Sequence, residues 1–245
     1  GGEPTLYKRL KDIIAIAKKI GFKKKVLITN GRRLSNKEYC EKIINAGIDE
    51  VVISLDGQNK ELAEAATRTP DSFKQLIKAI ENIKRKKLPF GSTIVITILN
   101  YKSIPLIIEK AIDLGSDFVN IQFLLPFVED KNVPCRRLPK QIIPSYNEVL
   151  PYLKKGLDKY GNKKKIKVHF IPFCYMTGYE KYLDEECNKS DRMIINYKGY
   201  KYNMGEHLKK GSEKMSKCKK CEYEDKCNGI YSSYKKEFGI NIKKE

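Results

Sequence analysis

Apolar residues recur along the first half of the chain in two alternating rhythms. Leu6, Leu10, Ile13, Ile14, Ala17 and Ile20 fall on one helical stripe over residues 5–20, and Gly21 is placed to stop it. Residues 25–29 (KVLIT) then form a short, wholly apolar run that predicts a buried strand. The alternation repeats: a helix near 36–46 ending at Gly47, a strand over 50–55, a helix over 71–85, a strand over 92–99, a helix over 104–114 and a strand over 118–125. Strands that alternate with helices predict parallel βαβ units. Their unbroken apolarity predicts a sheet covered on both faces. Part of a (β/α) barrel and a doubly wound sheet both satisfy this pattern.

The rhythm changes after residue 126. Pro126, Pro134, Pro139 and Pro144 punctuate a loop-rich stretch. A helix near 143–157 and a strand near 165–172 follow. Residues 192–203 predict a β-hairpin turning at Lys198-Gly199, and 224–238 a final helix. Three segments are therefore expected: an incomplete barrel at 1–125, a connecting segment with helix and strand at 126–172, and a small cysteine-rich α+β unit at 173–245.

Composition narrows the class. The 245 residues are 41% hydrophobic, enough for a core, and no apolar run reaches the length of a membrane span. No signal peptide is visible. A soluble, cytoplasmic protein without membrane association is expected. The net charge of +19 suits an acidic partner such as RNA. Yet the lysines are dispersed near element ends and few aromatics interleave with them, so a lysine-rich surface is the simpler reading. Seven cysteines, five of them in the last third, favour metal binding over disulfides.

Polar residues gather where parallel strands end, and ligands of parallel sheets are held at those carboxyl ends. Asn30 and Gly31 follow the first strand. Ser54, Asp56 and Gly57 close the second, and Asn100 follows the third. Each alone is also a plain turn former.

Their order is more specific. Gly1-Gly2-Glu3-Pro4, then Thr29-Asn30-Gly31, then Ser54-Leu55-Asp56-Gly57, then Arg68 in TRTPDSF, resembles the core of radical S-adenosylmethionine (SAM) enzymes. That resemblance implies a partial (β/α)6 barrel lacking its first strands. It implies that Gly1, Gly2, Glu3 and Pro4 hold the methionine ammonium of SAM, where carboxylate and carbonyl acceptors suit a cation. It places Ser54 at the ribose or carboxylate and Arg68 at the carboxylate, with Asn30 and Asp56 as lesser contacts. The family's Cys-x3-Cys-x2-Cys loop, which binds the catalytic [4Fe–4S] cluster, lies upstream of the GGEP segment. Residues 1–39 contain no cysteine. The chain is expected to be an N-terminal truncation, inactive alone, of a longer enzyme.

Cys218-x2-Cys221-x5-Cys227 is a compact thiolate group that needs a fourth ligand. Cys174 is the first choice and Cys187 the second. Spacing alone suits structural zinc and an iron–sulfur cluster equally. The resemblance favours a [4Fe–4S] auxiliary cluster, because the spacing is similar to the SPASM and twitch extensions of radical SAM enzymes. Tyr231 stands where the full SPASM pattern has another cysteine, which implies a one-cluster variant.

The intact protein is thus expected to be an oxidoreductase-like or maturase-like enzyme that generates a 5′-deoxyadenosyl radical. A peptide or protein is the implied substrate, RNA a lesser one, and ferredoxin or flavodoxin the implied electron donor. The competing class is a non-catalytic zinc- or Fe–S-binding module, associated with nucleic acid.

Overall fold

The computed structural model describes residues 2–124, 142–184, 192–195 and 199–240. Gly1, Cys135, Cys187 and Lys198 lie outside them. Five parallel strands form one sheet in sequential order: β1 Val26–Thr29, β2 Glu50–Ser54, β3 Phe90–Ile96, β4 Phe118–Phe123 and β5 Lys165–His169. The order never reverses, so the sheet is singly wound and barrel-like; a doubly wound sheet would reverse at a switch point. Residues 165–169, expected in a connecting segment, are hydrogen-bonded as the fifth strand. Leu183 adds a single parallel bridge beyond it, to Val168.

Helices cover one face of this sheet. They are α1 Leu10–Lys19, α2 Lys37–Asn45, α3 Lys60–Thr67, α4 Ser72–Arg85, α5 Ile104–Asp113 and α6 Tyr146–Tyr160. Row partners Ile53, Ser92, Val119 and Ile166 lie beneath them, each at most 4% exposed. The start of α6 is fixed by a capping box, with Ser145 and Glu148 satisfying each other's backbone N–H groups. None of the described helices is long and apolar enough to cross a membrane.

Several expected boundaries move. The long first helix is a 3-10 turn at Pro4–Leu6 followed by α1. Of its predicted stripe only Ile14 is buried, while Leu6, Ile13 and Ile20 are exposed. Helix α3 was hidden, because its eight residues carry few large apolar side chains. The last helix shrinks to α8 Ser232–Phe238, preceded by α7 Met204–Lys210. Gly229, at φ +94°, breaks the expected helix, and Ile230–Tyr231 (β9) instead pairs with Ser212–Glu213 (β8). The expected hairpin appears as antiparallel Met193–Ile195 (β6) and Lys201–Asn203 (β7).

The cysteine-rich end is not separate from the barrel core. Tyr234 on α8 stacks on Tyr146 at 3.9 Å between ring centroids, and its hydroxyl accepts from the Tyr146 N–H at 2.9 Å. Phe123 of β4 touches both rings. Burial pushes the Tyr234 hydroxyl up to about 12, so it stays a neutral partner.

Candidate functional site

Two sites emerge at the carboxyl ends of the strands. The first is a cavity of about 260 Å³ lined by Asn30, Arg32, Ser54, Asp56, Thr67, Thr69 and Ser72 over an apolar floor of Ala63, Phe73 and Leu76. β1 and β2 deliver the first four residues from their carboxyl ends. The segment joining α3 to α4 delivers the hydroxyls. Arg68 and Asp71 in that segment both adopt left-handed backbone, at φ 51° and 59°, a conformation non-glycine residues seldom hold without a reason. It turns Thr67 and Ser72 together, with 2.8 Å between their hydroxyl oxygens.

Glu3 ties the N-terminal segment to the rim of this cavity. Its Oε1 accepts from the Thr5 N–H (3.0 Å), the Thr5 hydroxyl (2.6 Å) and the Thr29 hydroxyl (2.6 Å). Its Oε2 accepts from the Asn30 N–H at 2.8 Å. Partial burial raises the carboxyl's pKa, but the bonds from Thr29, Thr5 and Asn30 outweigh it and hold the pKa below the usual value. Glu3 is therefore an anion at neutral pH. Oε2 accepts this one bond among the described residues and keeps capacity for a cationic ligand. Gly2 is exposed and Pro4 begins the 3-10 turn.

Asn30 makes an Asx turn, its Oδ1 accepting from the Arg32 N–H at 3.0 Å. This turn aims Arg32 along the cavity, where Nε donates to Gln75 Oε1 at 3.0 Å. Asp56 has no side-chain hydrogen bond among the described residues, and burial pushes its carboxyl pKa up. An acceptor left without donors in a cavity suits a ligand's hydroxyl groups.

Arg68 is exposed and does not line the cavity. The guanidinium there belongs to Arg32, which sequence order did not single out. Its signal was Asn30-Gly31-Arg32 itself: a turn at a strand's carboxyl end followed by a cation.

The second site holds the clustered cysteines. Cys174, Cys218, Cys221 and Cys227 line one cavity of about 170 Å³, walled by Pro172, Phe173, Met215, Tyr223 and Ile230. All four thiols are free. Backbone N–H groups of Met215 and Gly229 point at the sulfurs of Cys218 and Cys227, at 3.4 and 3.3 Å. Such bonds stabilise metal-bound thiolates. Burial pushes the Cys174 thiol up to about 11, with Cys227 and Cys218 contributing to the rise. Among the described residues no three His, Cys, Asp or Glu side chains converge as a single-ion site.

Gly229 shapes this cavity as well as ending the expected helix. A Cβ there would overlap the Glu213 carbonyl on β8, and L side chains rarely adopt its positive φ. Gly229→Ala should cost about 1–3 kcal/mol of stability, as strained backbone of this kind does. Urea unfolding checks this; an unchanged midpoint would show that β8 yields freely.

Comparison with known proteins agrees with the fold. Residues 1–111 match the family model described as the Radical SAM superfamily. The chain is 32% identical over 180 residues to a probable GTP 3′,8-cyclase of Sulfurisphaera tokodaii, covering 73% of this chain and 53% of the relative. It is 31% identical to the tungsten-containing aldehyde ferredoxin oxidoreductase cofactor-modifying protein of Pyrococcus furiosus, covering 53% and 38%. The chain thus spans about half the length, or less, of these curated relatives. Its fold is similar to that of native anSMEcpe with bound AdoMet and a peptide, at TM-score 0.64 and 16% identity over 97% of this chain and 80% of that one.

Proposed function

We propose that this chain forms the SAM-binding and auxiliary-cluster part of a radical SAM enzyme acting on a polar small molecule. The observation that carries the reading is the first cavity. It sets a guanidinium, Arg32, and a carboxyl without a side-chain hydrogen bond among the described residues, Asp56, at the ends of adjacent parallel strands, and the anion Glu3 is bonded to the Asn30 N–H at its edge. These are the complements of SAM's own groups: Glu3 for its ammonium, Arg32 for its carboxylate, Asp56 and Ser54 for its ribose hydroxyls. In this family, bound SAM together with a reduced [4Fe–4S] cluster supplies the radical that removes a substrate hydrogen. The protein's part is to orient SAM, exclude water and present one C–H bond.

The cysteine cavity supports an auxiliary cluster. Four thiols lining one space suit a zinc ion and a cluster alike; the Radical SAM match of residues 1–111 favours the cluster. The curated relatives carry names concerned with GTP and with cofactor modification. They favour a small molecule over the peptide that the cysteine-rich tail suggested.

Calorimetry with SAM tests the cavity. Removing a cation that hydrogen-bonds a carboxylate costs about 1.5–3 kcal/mol, so Arg32→Ala should weaken SAM binding by roughly 10- to 150-fold. Arg68→Ala should leave it within about twofold, as expected of an exposed side chain distant from the ligand. The opposite ranking would return the carboxylate to Arg68.

A further inference from the structure

β5 alternates in chemistry along its length. Lys165, Lys167 and His169 take turns with Ile166 and Val168, so the three nitrogen-bearing side chains share one face of the strand. The register says which face. Ile166 continues the buried row beneath the helices. Lys167 continues the other row, running Ser54, Thr93, Asn120, Lys167 across four strands. The next row on that face runs Val95, Gln122, His169. This face therefore leads from Ser54, in the wall of the first cavity, to Lys167, roughly 14 Å away at the usual strand spacing of about 4.8 Å.

Two polar atoms on this face are buried without a partner: Thr93 Oγ1 and His169 Nε2. Their residues are only 6% and 8% exposed. Proteins seldom leave such groups unsatisfied unless something else binds them. The other imidazole nitrogen, Nδ1, lies 3.3 Å from Asp184 Oδ2. That contact keeps the proton on Nδ1 and leaves Nε2 an acceptor. Burial lowers the imidazole's pKa against the opposing pull of Asp184, and Arg192 and Lys167 lower it further. Lys167 itself has no carboxylate partner among the described residues, since Asp184 is engaged by His169.

We infer that this row is the substrate wall and that it selects a small anionic molecule. The anion, a phosphate or a carboxylate, sits at Lys167 with Lys165 behind it. An N–H or O–H of the same molecule donates to His169 Nε2, and Thr93, Asn120 and Gln122 supply further hydrogen bonds. A neutral extended peptide would leave the lysines uncompensated. The inference rests on the SAM reading of the adjoining cavity only for calling the ligand a substrate; the binding itself is separately testable.

Inorganic pyrophosphate and citrate serve as probes in calorimetry on the full chain at physiological salt, with SAM titrated in parallel. One of the two anions should bind, and which one identifies the phosphate or carboxylate class. Lys167→Met should weaken it by roughly tenfold or more, the scale of one lost charged hydrogen bond. Lys167→Arg should restore most of the affinity. Lys209→Met/Lys210→Met, which removes two exposed charges on α7, should leave it within about twofold if binding is not simple counterion attraction. Binding of neither anion, equal loss in the Lys209/Lys210 variant, or indifference to Lys167→Met in a variant of unchanged circular dichroism would each overturn the inference. Absence of SAM binding with anion binding intact would instead sink the cavity reading alone.

Discussion

Glu3→Gln should destabilise the fold by about 2 kcal/mol at neutral pH, a fall in melting temperature of about 4–8 °C for a chain this size. The carboxylate collects four donors from Thr5, Thr29 and Asn30. A glutamine keeps one acceptor oxygen and turns an NH₂ toward a donor, so at least one N–H or O–H loses its partner. Bonds to charged groups are worth about 1.5–3 kcal/mol each; half-exposure of the carboxylate places the net near the lower figure. The pH dependence follows from the depressed pKa. A carboxyl whose folded pKa lies below its unfolded value contributes stability above the unfolded pKa. It loses that contribution as pH falls through the folded value. The gap between wild type and Glu3→Gln should therefore be full at pH 7 and close in acid. A gap that is constant with pH would mean that the side chain acts by packing and not by charge. SAM affinity should fall with stability, because Glu3 holds the Asn30 backbone from which the Arg32 turn starts.

The sheet was legible because its strands are short, apolar and separated by amphipathic helices. Periodicity alone finds such elements, and β2 and α4 appear within two residues of their expected bounds. What periodicity could not supply was strand order, since a barrel and a doubly wound sheet share the same alternation. Helix α3 escaped because its eight residues bury only Ala63. The expected terminal helix was shortened by Gly229, whose effect depends on Glu213, a contact between distant residues that no local pattern records. The site divides in the same way. Asn30, Ser54 and Asp56 sit at strand ends, where topology decides position, and all three line one cavity. Arg32 and Arg68 are both cations next to loops. Which one enters the cavity depends on an Asx turn and a left-handed residue, and neither is visible as a motif. The β5 face was missed for a related reason: its lysines read as ordinary surface charge until the register placed Lys167 in the row of Ser54.

Cys174→Ala should abolish metal retention in the tail, whereas Cys187→Ala should leave it intact. Anaerobic reconstitution of the wild-type chain is expected to yield about four irons and four sulfides, with visible absorbance. The physical reason for singling out Cys174 is its place in the wall with Cys218, Cys221 and Cys227. Its thiol is held up at about 11, with burial as the main cause and the neighbouring sulfurs adding to it. A buried thiol with that pKa is protonated at neutral pH, so binding must displace its proton, and metal retention should weaken as pH falls. Replacing it by alanine leaves three thiolates, and a cluster iron open to solvent and exchange. The loss should also reach the barrel. Phe173, next to Cys174, stacks on Tyr223 within the Cys221–Cys227 loop at 4.6 Å between centroids. Tyr234, three residues past β9, is bonded to the start of α6. Chelating the metal from wild type should therefore lower the melting temperature of the whole chain, and Cys174→Ala should show that lower value from the start. Stoichiometric zinc without visible absorbance would replace the cluster by a structural ion. Iron retained in Cys174→Ala but lost in Cys187→Ala would move the fourth ligand to Cys187.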